Sequence, residues 1–317
     1  MYPDYISAKK MRENYEGNVF SPMGCVDGDE VVSYKWMGHL YTESFSRMWN
    51  RLSDVYAVQE QRSGDPDYLY MDTPDGVEIF DTKEGFVKNH RIIRNKAKNW
   101  MRVTFSNGRV LTCTDDHPFE TENRGIVYAK DLTPNDMIRI EHSAPAGTSL
   151  HYNRDKAWLF GFMLCDSAYY ESIAISIAKH GEDDIQERIT KYVKALYGLD
   201  VSVVERERGS KGRYKDLILR PDATDTHAQL RVELISLFGG IKKSVRHIPN
   251  EVFSFDQEGR IAFLAGLIDA DGYINNHSRM PKIQIGSTNK ELAIQEMLLA
   301  QSLGMRASMY LNRYRQN

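Results

Sequence analysis

Two acidic side chains stand at the ends of two similar apolar stretches that carry small residues at helical spacing. In the later stretch, residues 263–272, Gly266 and Ala270 are four residues apart and therefore share one helix face. Its Asp271 falls on the last predicted turn, where the helix dipole disfavours a carboxylate unless a cation is nearby. The spacing predicts a helix that packs closely against a second helix and carries a metal ligand at its end.

The earlier stretch, residues 158–167, repeats this arrangement. Gly161 and Cys165 take the places of the two small residues, and Asp166 takes the place of the acid. One copy alone could equally well be an apolar core helix that ends in an acid and has no metal. Two copies with the same internal spacing favour a pair of helices.

These two stretches resemble those of the LAGLIDADG homing endonucleases. The resemblance implies two helices that cross at a pseudo-twofold axis, with Asp166 and Asp271 holding Mg²⁺ over the scissile phosphates of double-stranded DNA. It also implies a long pseudo-symmetric DNA site and an affinity that falls steeply with salt. In these endonucleases a Lys precedes an Ile-Pro pair. Arg246 takes that position here, and we expect it to stabilise phosphate charge.

Basic residues cluster between two predicted strands, 201–204 and 217–219, and again just before Ile248. One interpretation of the first cluster is a solvated hairpin tip. We prefer a loop that follows the DNA backbone, because the cluster lies within a nuclease-like repeat. The predicted phosphate contacts are Arg206, Arg208, Lys211, Arg213, Lys215, Lys242 and Lys243.

A second group of reactive residues lies in the β-rich part of the chain. Cys25 directly follows Gly24, and Thr114 precedes His117 by three residues, after a hairpin predicted at Asn107-Gly108. A lone cysteine is usually a buried apolar residue, and a lone histidine is more often structural than catalytic. A thiol at residue 25 could, however, attack the carbonyl of residue 24 and form a thioester.

The segment from Cys25 to about residue 140 resembles the N-terminal part of the splicing domain of inteins, a fold shared with Hedgehog autoprocessing domains. The resemblance implies that His117 protonates the leaving amide and that Thr114 contacts the scissile amide or the oxyanion. The second splicing segment, which ends in His-Asn, is not found in this sequence, so we expect cleavage at Gly24-Cys25 without ligation. A truncated chain and a split system completed by a C-terminal segment in trans both fit.

The predicted fold class is multi-domain, with an all-β Hint-like splicing domain followed by an α+β endonuclease domain of two pseudo-symmetric repeats. The predicted limits are 1–24 for an extein-like peptide, 25–145 for the splicing domain, and 150–250 and 251–317 for the repeats. The second repeat is the shorter, and we expect its last strand and helix to be missing. Residues 18–24 also resemble the segment ahead of a cysteine in anaerobic ribonucleoside-triphosphate reductases.

Length, charge and cysteine content limit the possible domain number, partners and compartment. The chain has 317 residues, a net charge of -3 and three cysteines. Its length allows two or three domains, and its charge neither requires nor excludes nucleic acid. Three widely spaced cysteines indicate free thiols in a reducing compartment. Without a signal peptide or a membrane-length apolar run, we expect a cytoplasmic protein with no membrane partner.

Two other functions fit the same residues. A degenerate nuclease would bind DNA without cutting it, and Arg246, Cys165 and the short second repeat are compatible with that interpretation. A fragment of a ribonucleotide reductase precursor would have its function in residues 1–24 alone.

Overall fold

The computed structural model describes most of the chain as two units. The described residues are 24–60, 68–96, 99–139, 143–147, 150–178, 181–207, 213–221, 225–275 and 282–310. The first unit comprises residues up to Pro145 together with the segment from Gly304, and the second runs from Ala146 to Leu303. Of the predicted extein-like peptide, only Gly24 lies within the described residues. In the described part of the chain, no helix has the length and apolarity needed to cross a membrane.

The first unit is built from antiparallel strand pairs. Its strands are β1 (Val31–Trp36), β2 (His39–Ser44), β3 (Val58–Glu60), β4 (Tyr68–Asp81), β5 (Gly85–Asn95), β6 (Trp100–Thr104), β7 (Val110–Thr114), β8 (Pro118–Thr121) and β9 (Gly125–Tyr128). One sheet has the order β2-β1-β4-β3, with β5 paired to β4, while β6–β7 and β8–β9 form separate pairs. The Asn107-Gly108 hairpin is confirmed, since Gly108 has φ 82° between β6 and β7. Helix α1 (Phe45–Ser53) interrupts the predicted all-β unit.

The second unit repeats a helix–strand–strand–helix order. The first repeat contains α2 (Arg154–Asp166), β10 (Ser167–Tyr169), β11 (Ile173–Ala178), α3 (Asp183–Tyr197), β12 (Val201–Glu207), β13 (Arg213–Leu219) and α4 (Thr226–Phe238). The second contains α5 (Gln257–Asp271), β14 (Gly272–Asn275), β15 (Lys282–Ile285) and α6 (Lys290–Ser302). The first sheet has the order β10-β11-β13-β12, and β14 pairs with β15. A side chain caps each of the central helices, Asn153 for α2 and Asp256 for α5.

Helices α2 and α5 touch through their backbones at two glycines. A Cβ added at Gly161 would overlap the Phe263 carbonyl oxygen and lie 3.2 Å from the Leu267 nitrogen. A Cβ added at Gly266 would likewise overlap the Trp158 carbonyl oxygen. The same difference in residue number relates each residue of α2 in these contacts to its counterpart on α5. The crossing is therefore pseudo-twofold, and any side chain at these glycines is excluded.

The second repeat lacks the equivalent of the first repeat's full sheet among the described residues. The sequence pattern of residues 305–311 predicts a further strand. This prediction is wrong for the described part of that segment, since residues 305–310 have no regular structure. In the first repeat, β13 lies between β11 and β12, and among the described strands β12 pairs with β13 alone. Ile274 and Ile283 on β14 and β15 are 52% and 55% exposed.

Replacing Gly266 by alanine should test the helix crossing. Alanine is intrinsically the better helix former by about 1 kcal/mol, so an isolated helix would gain stability. We expect the free energy of unfolding to fall instead, by roughly 1–3 kcal/mol, because the added methyl group overlaps the α2 backbone. Urea unfolding measures the difference.

The matched control is Gly286→Ala, where an added Cβ meets nothing within 4 Å. This variant should stay within about 0.5 kcal/mol of the unmodified protein. Equal stability of both variants would contradict the close backbone contact.

Candidate functional site

The C-terminal ends of α2 and α5 bring Asp166 and Asp271 into electrostatic contact. Burial raises the pKa of Asp166, the neighbouring Asp271 carboxylate raises it further, and the Lys243 ammonium opposes both effects. The Asp166 side chain is 26% exposed, and Asp271 is exposed to solvent. The two acids predicted at the helix ends therefore lie at one open site.

This pair of acids fits a magnesium site that is open to solvent. Mg²⁺ binds oxygen ligands and commonly uses one or two carboxylates, with water and substrate phosphates as its other ligands. Asp166 and Asp271 supply two such carboxylates. Within the described ranges, no group of three or more His, Cys, Asp or Glu side chains could hold a metal. The donor set thus suits a shared metal site completed by substrate, rather than a closed protein cage.

Arg246 does not take the position expected of a phosphate contact. Its side chain is 1% exposed, and its guanidinium donates hydrogen bonds of 3.0 Å to the carbonyl oxygens of Leu164, Ser167 and Ile241. Two of these carbonyls lie at the end of α2, where a cation offsets the negative end of the helix dipole. The role of Arg246 in contacting phosphate stays a prediction, and its burial together with the carbonyl partners of its two terminal amino groups does not favour it. Arg246 fixes the end of α2 and thereby the position of Asp166.

Lys243 is the basic residue that pairs with Asp166. Its Nζ donates a 3.1 Å hydrogen bond to Asp166 Oδ1, and its side chain is 59% exposed. The sequence predicts this lysine to be one of the phosphate contacts. In the structure it is the counter-ion of a helix-end carboxylate.

The other predicted phosphate contacts are only partly described. Arg206 donates to Asp216 at 2.8 Å, and Lys215 donates to Asp183 at 2.7 Å, so acidic partners offset both charges. Lys242 is exposed. Arg208 and Lys211, together with the side chain of Arg213, lie outside the described residues.

Glu296 on α6 is a site residue that sequence reasoning missed. It is 7% exposed, and burial followed by the charge of Asp271 raises its pKa from an ordinary value of 4.5 to about 8. The sequence does contain a signal, because Glu296 stands four residues after Leu292 on the apolar face of its helix. An acid on that face indicates a buried carboxyl group.

Asp269, the first acid of the later stretch, has a different role from Asp271. It accepts a 2.7 Å hydrogen bond from Trp158 Nε1 on α2. Arg188 of α3 lies 3.6 Å from the same carboxylate, and its guanidinium stands 4.1 Å from the centre of the Trp158 ring. Asp269 therefore joins the two repeats through Trp158 and Arg188.

A separate site in the first unit surrounds the Gly24-Cys25 bond. The Cys25 amide donates to Thr114 Oγ1 at 2.8 Å, and the Thr114 amide donates to the Cys25 carbonyl at 2.8 Å. Gly24 packs directly against the backbone of His117, so that a Cβ at residue 24 would overlap it. The end of β7 and the turn into β8 thus bring together the four residues predicted from the sequence.

The His117 imidazole is held in an apolar setting. It is fully buried, packs edge-on against Phe119 at 5.3 Å, and neither ring nitrogen has a hydrogen-bond partner with good geometry among the described residues. Burial lowers the pKa of His117 to about 4, although the Gly24 carbonyl and Asp116 oppose the shift. The imidazole is therefore neutral at pH 7 and stands next to the Gly24 carbonyl.

Residues 258–317 match the family model of the LAGLIDADG-like domain. Helix α5 lies at the start of the matched segment. The match begins at its first turn and includes Asp271 as well as Glu296.

The chain also resembles two curated proteins. It is 20% identical over 239 residues to the ribonucleoside-diphosphate reductase NrdEB subunit alpha of Bacillus subtilis (strain 168). The subunit of the same name from Bacillus phage SPbeta matches to the same extent. Each alignment covers 70% of this chain and 21% of the relative, so the chain spans about a fifth of these proteins' length.

Solved structures with a partial likeness include two of I-DmoI. A variant of I-DmoI in complex with its target DNA, in the presence of 2 mM Mn, is 19% identical, with a TM-score of 0.35. The alignment covers 51% of this chain and 82% of the I-DmoI chain. Mesophilic variants of the homing endonuclease I-DmoI are 17% identical with the same TM-score, covering 51% and 84%.

Replacing Glu296 by glutamine should change how stability depends on pH. Because the pKa of Glu296 is raised on folding, its contribution is fully present below about pH 4.5 and is lost as the pH rises through about 8. At pH 9 the variant should be more stable than the unmodified protein by on the order of 2–4 kcal/mol. At pH 5 the two proteins should differ little.

Urea unfolding at pH 5 and pH 9 measures this difference. Glu187→Gln is the control, because Glu187 lies exposed on α3. It should leave the pH profile unchanged. Parallel profiles for Glu296→Gln and the unmodified protein would contradict a buried, protonated Glu296.

Proposed function

We propose that the second unit is a Mg²⁺-dependent, site-specific endonuclease that acts on double-stranded DNA. The observation that carries this proposal is the pair of pseudo-equivalent helices α2 and α5, which cross at two glycines and end in Asp166 and Asp271. The match of residues 258–317 to the LAGLIDADG-like domain supports it. The DNA site should be long and pseudo-symmetric, as are the two repeats.

In this function each helix end supplies one metal ligand. Asp166 and Asp271 would hold Mg²⁺, which supplies charge for the attacking and leaving oxygens of the phosphodiester. The glycines let the helix ends approach, and Arg246 holds the last turn of α2 through its carbonyls. Exposed strands of the repeats would contact the DNA backbone, and binding should weaken as salt rises.

The first unit favours a second activity, self-cleavage at the Gly24-Cys25 bond. Cys25 Sγ would attack the Gly24 carbonyl carbon, the bond from that carbon to the Cys25 nitrogen would break, and the freed amine would gain a proton. The product is a thioester between residues 24 and 25. Thr114 Oγ1 already accepts from the scissile amide, and His117 stands beside the Gly24 carbonyl. Together the two activities describe the N-terminal part of an intein that carries a homing endonuclease.

The similarity to reductase subunits is consistent with a host protein of that class. The chain spans only about a fifth of those relatives, so reductase activity is not assigned to it. A C-terminal splicing segment supplied in trans would allow ligation as well as cleavage.

Substitution of the two helix-end acids tests the nuclease. Asp166→Asn and Asp271→Asn should each lower Mg²⁺-dependent cleavage by roughly 100-fold or more, because each removes a metal ligand worth several kcal/mol at the transition state. Cleavage can be measured on a plasmid library that carries randomised sequence.

Asp269→Asn is the matched control, since it makes the same chemical change on the same helix and keeps an acceptor for Trp158. It should cleave within about threefold of the unmodified protein. If the unmodified protein binds the library but cuts no member with Mg²⁺, the chain is a non-cleaving DNA-binding protein.

Thiol-induced release tests the first unit. A strong thiol should release a peptide of residues 1–24, and Cys25→Ala or His117→Ala should prevent release, as mass spectrometry would show. Cys165→Ala is the control, because the equivalent position of the other helix already holds Ala270. Release that continues in both Cys25→Ala and His117→Ala would contradict the proposed cleavage.

A further inference from the structure

Lys243 stands where a metal ion would have to bind Asp166. Its ammonium donates to Asp166 Oδ1 at 3.1 Å. We propose that Lys243 is a built-in counter-ion, which neutralises Asp166 in the free protein and is displaced by the divalent metal. Once displaced, its ammonium contacts the DNA phosphate. This inference rests on the proposed nuclease function.

The site needs a cation before any metal arrives. Asp166 is mostly buried, with 26% of its side chain exposed, and Asp271 is near enough to interact with it. Two carboxylates at close range repel each other, and partial burial strengthens the repulsion. The charge of Arg246 also acts on Asp166, but its guanidinium hydrogen bonds go to backbone carbonyls and not to the carboxylate. Lys243 is the cation that remains beside Asp166.

The side chain of Lys243 can leave its partner at little cost. It is 59% exposed, and an exposed lysine ion pair is weak. Its compact ammonium on a flexible four-carbon stem can exchange one oxygen partner for another. A buried arginine with several fixed hydrogen bonds has no such freedom.

The backbone beside Lys243 is anchored, so only the side chain has to move. Asn289, the cap of α6, donates to the Ser244 carbonyl at 3.1 Å and to the Arg246 carbonyl at 2.7 Å. The Arg246 guanidinium ties the same segment to the end of α2. Lys243 begins the short 3-10 turn held by these contacts. Its Cα therefore stays beside Asp166 whether the ammonium binds the carboxylate or a phosphate.

The two helix ends differ in this respect. In the part of the chain that the structure describes, no lysine or arginine pairs with Asp271, whose charge instead acts on Glu296. A metal ion at the Asp166 side must therefore displace a competing cation. Removal of that cation should tighten metal binding rather than weaken it, which is the opposite of what loss of a structural residue would cause.

Mn²⁺ binding to the full chain tests the counter-ion. Free Mn²⁺ can be followed by electron paramagnetic resonance during titration of the unmodified protein and of Lys243→Met. Loss of the competing ion pair should tighten Mn²⁺ binding by roughly three- to fivefold. Lys243→Arg keeps the charge and should return the affinity towards that of the unmodified protein.

Lys194→Met is the matched control. Lys194 is also 59% exposed and also pairs with an aspartate, Asp200, at 2.7 Å. Its loss should leave Mn²⁺ affinity unchanged. In an Asp166→Asn background, Lys243→Met should no longer tighten binding, because the competition concerns that carboxylate.

Two results would overturn the inference, and they can be told apart. If the unmodified protein binds Mn²⁺ and Lys243→Met binds it equally or more weakly, Lys243 is not a competing counter-ion, while the proposed metal centre stands. If neither protein binds Mn²⁺ at millimolar concentration, the metal centre itself is lost, and the counter-ion role with it.

Discussion

The second unit depends on contact between two helix backbones without any intervening side chain. Gly161 and Gly266 permit this contact, and they fix how far apart the ends of α2 and α5 can lie. Two carboxylates are thereby held within electrostatic range at a cost visible in the raised pKa of Asp166. The hydrogen bond from Trp158 to Asp269 secures the pairing. Packing energy in the helix pair therefore offsets the repulsion between two acids at its end.

Much of this helix pair could be predicted from the sequence, because small residues at equal spacing have a direct physical meaning. The same holds for the hairpin at Asn107-Gly108, where a positive φ is needed. The strand expected from Met305 failed for a different reason. A strand is stable only beside a partner, and a local pattern does not show whether the partner is present.

The direction of individual charged side chains could not be predicted. Arg246 and Lys243 are three residues apart, and only the fold decides that the arginine turns inward to carbonyls while the lysine faces the acid. Arginine suits the buried position because its fork of donors can satisfy several oxygens at once. In the first unit, a glycine before a cysteine was visible in the sequence. The contact of Gly24 with the His117 backbone, which explains why glycine is needed, was not.

The sheet order β10-β11-β13-β12 has a consequence for folding during synthesis. β11 is made well before β13, yet lies beside it, and β12 is made between them and, among the described strands, pairs with β13 alone. Until the chain has emerged as far as Leu219, β11 presents an open edge to which a foreign strand can pair. Ribosomes add roughly 5–20 residues per second, so this interval lasts seconds. Slower translation between Ala178 and Leu219 would lengthen the time for which this edge is open.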